Sequence, residues 1–187
     1  MFDGKLVRLR EYRKEDISLK INYLNDPDVL RYLETGIPYP VTLNEELKWF
    51  EAISAFKDSY RYAIEAIEGS HYIGDCGINS IDWKNSVANT VIFIGNKEYW
   101  SKGYGTEAMQ ILLAFVFNQI NINKVRLNVY SFNERAIKSY EKCGFKKEGI
   151  LRQEIFRDGK YHDTIVMGIL REEFNNLPSC YYKKNEG

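Results

Sequence analysis

The stretch Trp100-Ser101-Lys102-Gly103-Tyr104-Gly105-Thr106-Glu107-Ala108 has the make-up of an anion cradle. A β-like run, Asn89 to Gly95, leads into it, and an apolar-periodic helix marked by Ala108, Leu112, Phe115 and Val116 leads out. In such a strand-turn-helix the glycines let a ligand approach the main chain. The opening helical turn directs unpaired N–H groups and the positive end of its dipole at that ligand. The guest that suits such a turn is a phosphate or pyrophosphate. The pattern is not a P-loop, because Lys102 precedes Gly103 and no Ser or Thr follows a Gly-Lys pair. Gly103-x-Gly105-x-x-Ala108 fits a dinucleotide fingerprint only loosely, since the ribose-binding acid expected about 20 residues on falls among Lys124, Arg126 and Asn128. On this stretch alone, a tight turn that merely joins strand to helix is the alternative.

A second constellation follows at Asn133-Glu134-Arg135-Ala136-Ile137-Lys138-Ser139-Tyr140-Glu141-Lys142-Cys143-Gly144-Phe145. Asn133 and Tyr140 stand close to two helical turns apart, so an amide and a phenol share one stripe. Plainer roles exist for both: Ser131-x-x-Glu134 reads as a capping box, Asn133 as a first-turn residue and Tyr140 as packing.

These groups need elements to position them. Leu6 to Arg10 reads as a strand, and Arg13 to Asn25 as a helix through Ile17, Ile21 and Leu24 that Asp26-Pro27 ends. Gly36 to Pro40 is a loop, and Thr42-x-x-Glu45 is a capping box opening a helix through Leu47, Phe50 and Ile53. Tyr60 to Ile67 and Tyr72 to Ile81 form a hairpin about Glu68-Gly69-Ser70, and a polar turn at Asp82 to Ser86 leads to the strand before the glycine turn. Lys124 to Tyr130 is a strand, Asn133 to Cys143 a short helix stopped by Gly144, and two last strands flank Arg157-Asp158-Gly159-Lys160. The expected order is β-α-α-β-β-β-α-β-α-β-β, an α/β chain. Its hairpins exclude an all-parallel sheet, while the crossover from Asn89 to Tyr130 demands one parallel pair, so the sheet is mixed. A doubly wound dinucleotide fold is thereby excluded.

Size and composition set further bounds. With 187 residues the chain suits one core, taken as a single domain over residues 1–177 with a polar tail over 178–187. Its 26 basic and 26 acidic residues leave no global field for nucleic acid or an anionic membrane. No apolar run reaches bilayer-spanning length and the N-terminus lacks a signal core, so a soluble cytoplasmic protein is expected. Cys76, Cys143 and Cys180, with only His71 and His162 to assist, support neither a disulfide framework nor a metal site.

Taken together, the glycine turn and the run Asn133-x-x-Ala136-x-x-x-Tyr140-x-x-x-Gly144-Phe145 resemble the GCN5-related N-acetyltransferase (GNAT) superfamily, and the order of elements resembles its acyltransferase fold. Tyr99 to Ala108, Glu148-Gly149-x-Leu151-Arg152 and Asp163-x-x-x-Met167 are similar to the branch containing ribosomal-protein N-terminal acetyltransferases and spermidine acetyltransferases. The resemblance implies acetyl-coenzyme A (acetyl-CoA) as cosubstrate, with its pyrophosphate on the amides of Ser101, Lys102, Gly103, Tyr104, Gly105 and Thr106. It implies a pantetheine arm pairing with Phe93, Ile94 and Gly95 where two parallel strands splay, Asn133 holding the arm from the other side, and Tyr140 as general acid near the sulfur. A main-chain N–H of the same strand would hold the oxyanion.

The acceptor implied is a primary amine: a protein N-terminal α-amine first, then a polyamine or other small amine, attacking directly in a ternary complex. A cleft between the Gly36–Pro40 loop and the Phe156–His162 hairpin would admit an extended peptide. Trp100 stands where the superfamily usually has Gln or Arg, and Thr90 and Asn128 stand where members often carry a Glu base. Asp75, Asp82, Glu34, Glu154 and Asp163 are the remaining carboxylates to consider. Cys76 or Cys143 as an acetyl-carrying nucleophile is disfavoured, as neither has a His nearby in sequence. A non-catalytic CoA-binding regulatory module is the alternative function, and monomer and homodimer stay equally open.

Overall fold

The computed structural model describes residues 2–33, 36–53 and 59–177. The strands are β1 (Phe2–Asp3), β2 (Val7–Arg10), β3 (Tyr60–Ala66), β4 (His71–Asp82), β5 (Val87–Ile94), β6 (Lys124–Tyr130), β7 (Lys146–Arg157) and β8 (Lys160–Leu170). The α-helices are α1 (Asp16–Leu24), α2 (Pro27–Leu30), α3 (Leu43–Ala52), α4 (Tyr104–Gln119), α5 (Glu134–Lys142) and α6 (Arg171–Asn175). The expected order is present, with β1, α2 and α6 added to it. β1 is two residues long and carries no period. At α2 the stop signal Asp26-Pro27 is also a start: the Asp26 side chain accepts the Asp28 N–H and Pro27 takes the first helical position.

All strands join one sheet in the order β1-β2-β3-β4-β5-β6-β8-β7, and of its neighbouring pairs only β5 and β6 run parallel. Their register stops after Val87↔Lys124, Ala88↔Val125 and Asn89↔Arg126. Beyond Thr90 the two strands diverge, which opens the sheet at their C-terminal ends. The mixed sheet and its splay are those expected.

α4 lies on one face against β2, β4, β5 and α5 and is buried almost all round, through Ala108, Met109, Ile111, Leu112, Leu113, Val116 and Phe117. At about 1.5–3 kcal/mol for each large side chain, this helix is the centre of the core. Glu107 is the polar exception: it is buried and accepts the backbone N–H groups of Lys5, Leu6 and Val7 at 2.9, 2.6 and 2.8 Å. The start of the sheet is thereby fixed to the helix that follows the glycine turn.

The opposite face carries α1 and α3. The Thr42–Glu45 capping box is present, and Trp49, Phe50 and Ile53 pack toward Tyr12, Ala63 and Tyr72. Charged residues are buried here as well. Arg10 makes two bonds to Asp16, at 2.8 and 2.9 Å, and a third to Glu65. Lys20 Nζ lies 3.0 Å from Glu46 and 3.5 Å from Asp75, and 3.2 Å from the centre of the Trp49 ring.

One expected cap is corrected. Asn133, not Ser131, caps α5, accepting the Ala136 N–H at 3.2 Å. The Ser131 N–H is donated to the Asp163 carbonyl beside the end of β6, so the chain leaves the strand before a helix can begin. Residues 178–187, taken as a polar tail, lie outside the described residues.

Candidate active site

A cavity of about 550 Å³ occupies the gap between β5 and β6. Its walls combine Thr90 to Ile94 of β5, the turn residues Ser101, Gly103, Gly105 and Thr106, and Asn133 and Tyr140 of α5. Residues some 40 positions apart in sequence thus meet because β5 and β6 part after three paired residues.

The turn has its shape from Gly103, which caps α4 at φ 93°, a left-handed conformation costly to any residue with a Cβ. α4 and α5 are joined beside it by a 2.8 Å hydrogen bond between the hydroxyls of Thr106 and Ser139, and by the Cys143 thiol reaching the Thr106 carbonyl at 3.4 Å. The first turn of α4 is in this way held against the face of α5 that carries Tyr140.

Of the residues expected from sequence, Phe93, Ile94, Ser101, Gly103, Gly105, Thr106, Asn133 and Tyr140 line the cavity; Gly95, Lys102 and Tyr104 do not. Gly95 turns its N–H to the Ile73 carbonyl at 2.8 Å, and a Cβ there would lie 2.3 Å from the Tyr23 ring. Lys102 is exposed, and the Tyr104 ring packs edge-on against Tyr99 with centroids 4.8 Å apart. Because a strand residue's own N–H and C=O point to one side and the side alternates from residue to residue, a Gly95 N–H bonded to β4 leaves the Ile94 N–H and C=O facing the gap. The Ile94 carbonyl accordingly accepts the Trp100 indole N–H at 2.6 Å.

Tyr140 is buried at 8 % exposure, packs edge-on against Phe145, and its hydroxyl makes no hydrogen bond to any described residue. Desolvation holds the phenol well above its ordinary pKa, with Cys143 adding to the shift, so it stays protonated through the neutral and mildly alkaline range.

None of the described carboxylates considered as a base lines the cavity. Asp75 is sequestered under α1, accepting from the Tyr72 hydroxyl at 2.6 Å beside Lys20, and burial raises its pKa. Asp82 binds Asn85, and Asp163 accepts the Gln153 N–H. Glu154 is exposed on β7, and Glu34 lies outside the described residues. Thr90 and Asn128 do line the cavity, and Thr90 is bonded to the Gly77 carbonyl at 2.8 Å. Among the described residues no cluster of three metal-ligating side chains occurs, and no helix is long and apolar enough to cross a membrane.

Sequence reasoning missed several lining residues. Val29, Tyr32 and Leu33 enter from the far end of the chain, and nothing in their local sequence marks them. Arg135 also lines the cavity, inside a motif read only for its Asn, Ala and Tyr.

Comparison with known proteins agrees with this fold. Residues 7–146 match the family model described as acetyltransferase (GNAT) domain. The SPbeta prophage-derived uncharacterized N-acetyltransferase YokL of Bacillus subtilis (strain 168) is 34% identical over 172 residues, covering 91% of this chain and 93% of that protein. The spermidine N(1)-acetyltransferase of Escherichia coli (strain K12) is 28% identical over 179 residues, covering 90% and 88%. Among solved structures, the spermidine N-acetyltransferase of Vibrio cholerae in complex with CoA and spermine superposes with a TM-score of 0.82 at 26% identity, over 91% of this chain and 99% of that one. The family match spans both the glycine turn and the Asn133–Phe145 motif that build the cavity, and the chain belongs to the GNAT family of acetyl-CoA-dependent N-acetyltransferases.

Proposed function

We propose that the cavity binds acetyl-CoA and a primary amine together and that the amine attacks the thioester directly. One observation carries the reading: the glycine turn, the open edge of β5, Asn133 and Tyr140 face one volume. The turn amides and the α4 N-terminus suit the pyrophosphate, and the β5 edge and Asn133 suit the pantetheine arm. The oxyanion formed on attack is held by a β5 N–H that faces the gap, that of Ile94. As the tetrahedral adduct collapses, the C–S bond breaks and the Tyr140 hydroxyl gives its proton to the departing sulfur. The amine must shed a proton; the one carboxylate among the described lining residues, Glu134, is exposed and lies 3.6 Å from Lys138, so that proton leaves through water.

The acceptor side of the cavity is formed by Val29, Tyr32, Leu33 and Tyr130. Such a wall suits one amine on an apolar or peptide body, and we assign the acceptor as a peptide N-terminal α-amine. A second reading, a polyamine, is favoured by the likeness to spermidine acetyltransferases. It would require several carboxylates to receive the remaining charges, and the described lining residues include one, Glu134, which is already paired with Lys138 at 3.6 Å.

Thiol release from acetyl-CoA, followed with N-terminal peptides, polyamines and amino sugars, separates these readings, and its pH profile sharpens the answer. Burial raises the Tyr140 pKa, so loss of its proton does not depress the rate at neutral or mildly alkaline pH. The rising limb then belongs to the acceptor: kcat/KM levels off above about pH 8 for an α-amine and climbs past about pH 9 for an alkyl amine. Turnover of polyamines alone overturns the peptide assignment. Specific CoA binding without thiol release from any acceptor supports a non-catalytic module instead.

A further inference from the structure

Trp100 stands where the superfamily usually has Gln or Arg, and its half-buried indole donates its N–H to the Ile94 carbonyl at 2.6 Å. That carbonyl belongs to the peptide group that ends β5. The N–H of the same group, that of Gly95, is bonded to the Ile73 carbonyl of β4 at 2.8 Å, and the Asn96 N–H reaches the same oxygen at 3.2 Å. On the gap side a continuous sheet would offer the Ile94 carbonyl a donor from β6, but the paired register ends at Asn89↔Arg126. The indole takes the place of the missing strand at this one point. A tryptophan N–H removed from water generally finds an acceptor. Here the acceptor is the residue whose own N–H faces the cavity.

Trp100 is itself held in place. The residues before it make one 3₁₀ turn, Lys97–Tyr99, closed by the Trp100 N–H on the Lys97 carbonyl at 3.1 Å. Lys97 Nζ reaches Asp26 and Asp28, at the start of α2, at 2.8 and 2.7 Å. The Trp100 ring meets that of Tyr32 edge-on with centroids 6.1 Å apart, and the Arg135 guanidinium carbon lies 3.6 Å from its centre. The ion pairs of Lys97 are exposed and add little stability, so the ring contacts and the indole bond are the stronger ties. Through this one side chain the acceptor wall, the end of β5 and the start of α5 are kept in register.

We propose that Trp100 is a positioning residue for acyl transfer: its indole N–H braces the end of β5 so that the Ile94 N–H stays aimed at the thioester carbonyl, at a fixed distance from the acceptor wall. Its role rests on the reading that this N–H holds the oxyanion, and it adds the side chain that aims the donor. Donors of this kind act by being in place before charge develops, and a displacement of about 1 Å costs up to about a hundredfold in rate. Loss of the brace therefore falls on kcat and spares binding of the cosubstrate.

Two variants of the full chain separate the indole N–H from the ring. W100F keeps an aromatic face, whereas Trp100→β-(3-benzothienyl)alanine keeps the whole bicycle and carries sulfur in place of the N–H. Both are expected to lower kcat about tenfold while the KM for acetyl-CoA and the affinity for CoA stay within about twofold. Infrared spectroscopy of acetyl-CoA isotopically labelled at the thioester carbonyl supplies a second readout. Binding to the wild-type chain without acceptor should shift the carbonyl stretch to lower frequency, as it takes up a hydrogen bond, and both variants should shift it less. Full kcat and a full shift in the sulfur-containing variant would overturn the brace. Equal losses of kcat and CoA affinity would overturn it too, by making Trp100 a packing residue. A wild-type chain that binds acetyl-CoA with no shift at all would instead overturn the Ile94 donor beneath it.

Discussion

Beneath α1 and α3, Arg10 is enclosed by Asp16 and Glu65, and Lys20 by Glu46, Asp75 and the faces of Trp49 and Tyr12. In the cavity between β5 and β6, Arg135 has only aromatic faces, and the Tyr140 hydroxyl has no hydrogen-bond partner among the described residues. Both regions bury polar groups, but among the described residues only the first surrounds its cations with carboxylates. Desolvating an ion costs several kcal/mol unless a partner offsets it, so the closed network reads as architecture and the open one as a site prepared for a ligand. Burial alone would have ranked Asp75 above Arg135 as a functional residue. Unused bonding capacity reverses that ranking.

Breaking the closed network should produce the largest effect, and it should fall on stability. Asp16→Asn removes the charge that makes two bonds to Arg10 and also accepts the Arg13 N–H, leaving the guanidinium short of one anion. Denaturant unfolding is expected to show a loss of about 3 kcal/mol, with kcat of the remaining folded protein little changed. A comparable loss of kcat at unchanged stability would place this layer in the site. In the open network the effects should be reversed. Tyr140→Phe deletes a hydroxyl that bonds to no described residue, so the unfolding midpoint should hold while kcat falls about a hundredfold and CoA affinity is kept. A Tyr140→Phe chain of undiminished kcat would end the general-acid assignment.

The same contrast explains what could be read from the sequence. Gly103, the Thr42–Glu45 box, the strand Lys124–Tyr130 and the Asn133–Phe145 motif were legible because each acts locally, through a backbone angle, a cap or a period. Asp26-Pro27 reads in the sequence as an ending, yet the one dipeptide both stops α1 and opens α2. The closed network was not legible: Arg10, Glu65 and Asp75 stand far apart in the chain, and a charged residue read alone looks solvated. The site was legible on its cofactor side, where two motifs carry it. Its acceptor wall was not, since Val29, Tyr32 and Leu33 reach it only through the path of the chain after α1.

Amide hydrogen exchange with and without saturating CoA compares the two regions in one experiment. The account predicts added protection over Ile92 to Ile94, Ser101 to Thr106 and the first turns of α5, with the strands bearing Arg10, Glu65 and Asp75 unchanged beyond any global stabilisation. Protection centred on that ion-paired layer, or none at the glycine turn despite measured binding, would contradict it.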